Sequence, residues 1–367
     1  MTSTKERKEE HLEISLSSNV ESPKGHSGFQ DVYLIHQALS DLDLSEINLE
    51  TYFLGKKVGL PLLVASMTGG IGKSLEINEN LAKVAEEFMM PIGVGSVRAG
   101  IEDASLAESF RIVKRIAPSV PVISNIGASQ LSKYGVDVAI KAVDLIEADA
   151  LAVHLNKLQE LVMPEGEPSQ KGVLKAISQC VEKLSVPLIL KETGSGLSLE
   201  VAELSKSLGV KYVDVGGYGG TNFAIIEHMR ASKTGHVQKA DLGKAFYNWG
   251  IPTAISLVEA LSVEGLRVIA TGGLRSGLDA AKALALGAEI VGVGLPLLRE
   301  ANKGIDGLRR WVESFSESLK CTMFLTGSKN ITDLKNAPVI LGGFTGHWLQ
   351  TRGIDINKFS RRRWRWN

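Results

Sequence analysis

The chain has 367 residues, 44% apolar and 22% charged, with 41 basic residues against 41 acidic ones. That length suits one α/β barrel with insertions, and zero formal charge excludes a partner chosen by bulk electrostatics, nucleic acid above all. The start, MTSTKERKEEHLE, has no apolar signal-like run, and no stretch reaches about 18 apolar residues, so neither secretion nor a membrane span is expected. Cys180 and Cys321 are far apart in no metal-type spacing, so both are expected as free thiols in a cytoplasmic protein.

Residues 1–60 precede the regular part of the chain as an N-terminal extension. Within it, RKEEH (7–11) mixes signs and reads as a solvated helix start. Arg7, Lys8 and His11 could clamp a diphosphate if the segment folded over a binding site. Eight short apolar runs then alternate with helical patterns: LLVASM (62–67), PIGVG (91–95), PVISNIG (121–127), DALAVHL (149–155), PLILKE (187–192), YVDVGG (212–217), RVIATGG (267–273) and EIVGVG (289–294). Strands apolar on both faces, separated by helices such as LEINENLAKVAEEF, predict a parallel sheet, and eight units predict a closed (β/α)8 TIM barrel over 61–330. The interval after the sixth strand is longer than the others, so an insertion, a lid or loop at the barrel mouth, is predicted at about 222–250. An amphipathic helix over 303–326 ends the barrel, and 331–367 forms a C-terminal segment with the basic, aromatic tail KFSRRRWRWN, read as partly disordered or in contact with another subunit.

Catalytic groups of such barrels sit where the strands end. Here the eight ends carry SMTGG, GSVR, SNIG, HLNKLQE, KETGSG, GGYGGTN, TGGLRSG and GVGLP, too many unusual turns on one rim to be ordinary turn chemistry. In TGGLRSG, Gly272 and Gly273 let backbone N–H groups approach an anion, Arg275 adds a cation, and a helix starts near Ser276 or Gly277. GVGLP (292–296) supplies the second of the two loops with which barrels commonly hold phosphate. The segment GGIGKS (69–74) is no nucleotide-triphosphate loop, because the glycine that motif needs at position 67 is Met67. Lys191 ends a core strand, where it can face an electron-rich ring or polyol, or pair with Glu192. His154 and Asn156 share one strand face by alternation, with Gln159 and Glu160 just beyond. Beside an anionic substrate, Glu160 suits Mg2+, which takes a carboxylate together with phosphate oxygens and waters.

Together the blocks RKxEH, ASMTGG, GSVRAG, SNIGASQL, HLNKLQE, KETGSG, GGYGGTNF, WGIPTA, ATGGLRSGLDAAKALALGA and GLPLL resemble, in order from about residue 7 to 330, the type 2, flavin-dependent isopentenyl diphosphate isomerases, in an archaeal-like form. The resemblance implies interconversion of isopentenyl and dimethylallyl diphosphate on reduced FMN with Mg2+, NAD(P)H only priming the flavin, in a homo-oligomer (tetramer or octamer). It implies FMN contacts from Ala65, Ser66, Met67, Thr68, Ser96, Asn125, Lys191, Gly216 and Thr221, with the phosphate on Gly272, Gly273, Arg275, Gly294 and Leu295. Substrate falls to Arg7, Lys8, His11, Ser96, Val97, Arg98, His154, Asn156 and Gln159, with His154, Asn156 and Gln159 nearest the chemistry. Glu160 falls to the metal. A reduced flavin can serve as acid and base, which leaves Gln159, unable to titrate usefully, a positioning role.

Two positions depart from the family: Val97 replaces a usual Gln, losing a polar substrate contact, and Gly216 replaces a usual Ser, losing a hydroxyl near the flavin. The rival enzyme reading is an FMN-dependent 2-hydroxy acid oxidase, which needs a histidine beside RVIATGG that is not there. A non-catalytic flavin-binding barrel is the other alternative. His154, Gln159 and Glu160 oppose it, and Val97 slightly favours it.

Overall fold

The structure is a computed structural model that describes residues 4–363. All eight apolar runs form strands: β1 (Leu62–Val64), β2 (Ile92–Gly93), β3 (Val122–Gly127), β4 (Ala150–His154), β5 (Leu188–Lys191), β6 (Tyr212–Asp214), β7 (Arg267–Thr271) and β8 (Ile290–Val293). Neighbours pair in parallel, and β8 closes on β1 through Val291↔Leu62 and Val293↔Val64. The predicted TIM barrel is the observed fold.

Alternation along each strand divides the core in two. Leu63, Ile123, Ala150, Ala152, Ile189, Tyr212, Ile269 and Ile290 point inward and pack together. Their neighbours, Leu62, Val64, Leu151, Val153, Val268 and Val291 among them, join the outer core under the helices. The hairpin of Thr51–Phe53 and Lys56–Val58 plugs the barrel's N-terminal end: Phe53 and Val58 belong to the inner cluster, and the Phe53 ring meets Tyr212 edge-on at 6.1 Å. Two residues further along seven of the strands, the same inward face presents Ala65, Asn125, His154, Lys191, Asp214, Thr271 and Gly292. Small or polar, these cannot continue the apolar filling. The barrel therefore ends in a cavity.

The helices used below are α1 (Thr4–Ser17), α2 (Lys157–Val162), α3 (Phe223–Lys233), α4 (Val237–Ala245), α5 (Gly277–Leu286), α6 (Leu295–Lys303) and α7 (Ile305–Leu325), of which α1, α2, α3 and α6 contribute residues to the cavity. The insertion predicted as a lid or loop is the helical pair α3–α4. Asn222 starts α3 by accepting from the N–H of Ala224 at 2.8 Å, which satisfies a donor the helix itself leaves open. One face of α3 buries Ile225, Ile226, Glu227 and Arg230. The buried charges signal a polar network instead of a solvated lid.

The extension and the C-terminal segment join, since Val32–Leu34 pairs antiparallel with Val339–Leu341. The tail also differs from expectation. Phe359 is buried, and Arg362 Nη1 donates to the carbonyls of Ala285 at 2.5 Å and Ala337 at 3.3 Å, so its first part docks on its own chain. The remaining tail residues, 364–367, lie outside the described residues. No helix among the described residues is long and apolar enough to cross a membrane.

Candidate active site

A cavity of about 280 Å³ opens at the C-terminal ends of the strands, and α1 crosses its mouth. RKEEH is therefore not a solvated helix start: Arg7, Lys8 and His11 all face inward. Lys8 Nζ donates to the carbonyls of Gly69 and Ser96, each at 2.7 Å, and lies 4.9 Å from the centre of the Phe110 ring. This pins α1 onto the loops after β1 and β2. It also commits two of the three ammonium donors, leaving one for a ligand.

Electrostatics in the mouth favour an anion. Burial, and then Arg7 beside it, push Lys8 down to about 7. Burial and Arg98 likewise lower the Arg7 guanidinium. Burial, followed by Lys191, Arg7 and Lys8, pushes His154 down to about 3, so its imidazole is neutral. Cations held this close depress one another until an anion arrives between them. A proton-linked consequence follows. Below pH 7 Lys8 is already charged, whereas above it the amine is neutral and takes up a proton when a diphosphate binds. Calorimetry of inorganic pyrophosphate binding at pH 8, in buffers of different ionisation enthalpy, is expected to show proton uptake that Lys8→Met loses.

The motif HLNKLQE lines the cavity through His154, Asn156, Gln159 and Glu160. β4 ends at His154, so Asn156 does not share its strand face; it stands at the start of α2, and Gln159 and Glu160 occupy the first turn. His154 Nδ1 lies 3.0 Å from Asn125 Oδ1, an arrangement that puts the proton on Nδ1 and leaves Nε2 for the cavity. Asn156 Nδ2 donates to Gln159 Oε1 at 3.2 Å and to Glu160 Oε1 at 3.1 Å. Glu160 Oε2 accepts the Glu167 N–H at 3.0 Å. Each carboxylate oxygen of Glu160 retains a lone pair for a cation.

Ala65, Ser66, Met67, Thr68, Ser96, Asn125, Lys191, Gly216 and Thr221 also line the cavity, as do Gly272, Gly273, Arg275, Gly294 and Leu295, a lining of small and hydrogen-bonding groups that a flavin would fit. Ser276 begins α5 by accepting from the Asp279 N–H at 3.2 Å, and Gly294 begins α6, so a helix starts directly after each of these two loops. Gly292 keeps the floor flat, since a Cβ on it would lie 2.4 Å from Thr271 Cγ2. Gly272 and Gly273 also answer a second demand. Their φ values are 110° and 75°, and a Cβ on either would lie 2.2–2.3 Å from the carbonyl of Gly217 or Gly219. Arg275 is held by an ion pair with Glu21 and by its own Nη1 donating to the Leu274 carbonyl at 2.9 Å. Lys191 does not pair with the Glu192 side chain. Its Nζ donates to the Glu192 carbonyl at 3.0 Å, while Glu192 Oε2 accepts from the N–H groups of Thr193, Gly194 and Ser195.

Two expectations change. Val97 does not reach the substrate cavity: it is fully buried in the outer core, where a polar side chain would need a partner. Its departure from the family therefore removes no substrate contact in this chain. At Gly216 φ is 44°, and a Cβ would lie 2.1 Å from the Glu192 carbonyl, so the usual serine does not fit this backbone. The sequence reading also missed Gln130, which lines the cavity, and Glu227, whose Oε1 lies 2.7 Å from His11 Nε2 and accepts from Gln159 Nε2 at 2.9 Å. SNIGASQL contained the first. The second lay inside a stretch taken for a loop.

A family model described as FMN-dependent dehydrogenase matches residues 9–340. The isopentenyl-diphosphate delta-isomerase of Archaeoglobus fulgidus is 46% identical over 351 residues, 96% of this chain and 100% of that protein. That of Methanosarcina barkeri is 43% identical over 360 residues, 98% of each chain. Among solved structures, mandelate oxidase with (S)-2-phenylpropionate aligns at TM-score 0.63 and 19% identity, over 91% of this chain and 94% of that one, a likeness of fold. With a barrel whose rim carries an anion-seeking mouth beside a glycine-lined cradle, the chain belongs to the FMN-dependent dehydrogenase family and, within it, to the isopentenyl-diphosphate delta-isomerases.

Proposed function

We propose that the protein interconverts isopentenyl and dimethylallyl diphosphate, with FMN active in its reduced form and Mg2+ carried with the diphosphate. The observation that carries this reading is the cluster of Arg7, Lys8 and Arg98 at the mouth, facing neutral His154. It binds an anion and points the rest of a short substrate toward the flavin. When bound, reduced FMN supplies the group that gives and takes the proton.

The chain's own residues do the remainder. Arg7, Arg98 and the free Lys8 donor hold the diphosphate, while His154, Asn156 and Gln159 orient the alkene end. Glu160 is the carboxylate for Mg2+, and a single carboxylate suits that ion because phosphate oxygens and waters complete its shell. Two of the titratable side chains at the cavity are poorly matched to proton transfer. His154 is held neutral, and Glu227 is held well below the usual carboxylate range because His11 and Arg230 outweigh its burial. Burial pushes Glu192 up to about 7, but its Oε2 is fixed by three N–H groups of its own turn. Among the described lining residues the histidines are His11 and His154, neither on β7, which disfavours 2-hydroxy acid oxidation. The hydrogen-bonded chain of Asn156, Gln159 and Glu160 disfavours a degenerate, non-catalytic barrel. NAD(P)H is the proposed reductant, and free Cys180 and Cys321 fit a cytoplasmic protein. Self-association into a tetramer or octamer belongs to the same proposal.

Glu160→Gln is expected to raise the Mg2+ concentration for half-maximal isomerisation at least about tenfold, with FMN affinity unchanged. A Mg2+ titration of both proteins checks it, and equal Mg2+ dependence would remove Glu160 from the metal.

A further inference from the structure

Arg230, 3% exposed in its side chain, spends its guanidinium on three carboxylates from three elements. Its Nε donates to Glu10 Oε2 of α1 at 2.7 Å, its Nη2 to Glu165 Oε1 after α2 at 2.6 Å, and its Nη1 to Glu227 Oε2 on its own helix at 2.6 Å. The other oxygen of Glu227 receives Gln159 Nε2 and faces His11 Nε2. Gln159 itself accepts from Asn156 through Oε1, so the Glu227 carboxylate decides which end of that amide turns which way. The guanidinium thus touches the helix that carries Arg7 and Lys8 through Glu10, and the reaction-side amide through Glu227.

We infer that Arg230 is a positioning residue of the isomerase, which fixes the Gln159 amide through Glu227 and seats the anion-binding helix through Glu10. This rests on the isomerase reading above and adds to it how the two halves of the site are held in register. The three carboxylates are met by three separate nitrogens of a planar fork, which the single nitrogen of lysine reaches only in part.

Without Arg230, Glu227 stays buried beside Glu165, with Glu10, Arg7 and His11 on α1 as its charged or titratable neighbours. Burial then raises the Glu227 pKa above its parental position, although His11 still favours the anion. A protonated Glu227 presents a donor where Gln159 needs an acceptor, so the amide loses its orientation as pH falls.

The test compares parent, Arg230→Gln, Arg230→Lys and Glu10→Gln, each loaded with reduced FMN, for kcat and KM between pH 5 and 8. Arg230→Gln is expected to lower kcat of order 10²-fold, with the ratio of variant to parent kcat falling further toward pH 5. Arg230→Lys should recover part of kcat and flatten that ratio. Glu10→Gln should raise KM with kcat and its pH profile kept, because only the arm to α1 is cut. If Arg230→Gln does not fold, the split between Arg230→Lys and Glu10→Gln decides. A folded Arg230→Gln with parental kcat, a loss equal at every pH, or the same kcat loss in Glu10→Gln would overturn the inference. A parent without isomerase activity would overturn the reaction reading and this inference with it; a normal parent with those variant results overturns this inference alone.

Discussion

Gln159→Ala is expected to slow isomerisation by about 10²-fold or more while leaving FMN affinity unchanged. Gln159 sits in the first turn of α2, fixed by Asn156 on one side and Glu227 on the other. Truncation removes an oriented amide from the substrate side of the cavity and touches none of the glycine-lined cradle. The loss should therefore appear in kcat, as an orientation effect, with little change in the diphosphate contribution to KM. Flavin fluorescence titration together with steady-state kinetics separates the two. A variant that loses FMN in proportion to activity would place Gln159 on the cofactor instead.

Gly272→Ala is expected to cost roughly 2–4 kcal/mol of stability and to weaken FMN binding about tenfold or more. At φ 110° the new Cβ would stand 2.2 Å from the Gly217 carbonyl and 2.7 Å from Thr253 Oγ1. Neither neighbour can yield easily: one is backbone, and Thr253 Oγ1 donates to the Gly272 carbonyl at 2.6 Å. The loops after β6 and β7 must separate, which moves Gly272 and Gly273, the proposed phosphate contacts. Gly294→Ala is the control. Its Cβ would meet nothing nearer than Met67 Sδ at 3.4 Å, so the flavin-free protein should melt as the parent does. Thermal melts with and without FMN check both, and an unchanged melt for Gly272→Ala would mean that the β6 and β7 loops are not packed as described.

The barrel was legible because short runs apolar on both faces recur eight times between helical patterns, and the runs end in polar or small residues at the rim. His154 and Lys191 could be placed by counting from Ala152 and Ile189. Asn156 could not, because alternation does not say where a strand gives way to a helix. Glu227 and Arg230 were hidden for a different reason. Their meaning depends on Glu10, Gln159 and Glu165, which are brought together only by the docking of α1 and α3 across the mouth. Val97 and Gly216 show the converse. A departure from a family motif reads as a lost contact in sequence, whereas the fold places one in the core and makes the other a left-handed turn. Gly272 and Gly273 were read as ligand-facing, and packing against the backbone of 217 and 219 is an equal reason for them.

The central claim is tested most directly by anaerobic incubation of the FMN-loaded protein with isopentenyl diphosphate and Mg2+, with the flavin either oxidised or reduced by one equivalent of dithionite. Dimethylallyl diphosphate is followed by NMR. The account predicts many turnovers per flavin with reduced FMN, no further consumption of reductant, and essentially none with oxidised FMN. Full activity with oxidised FMN under air, or oxygen uptake with release of peroxide on 2-hydroxy acids, would contradict it.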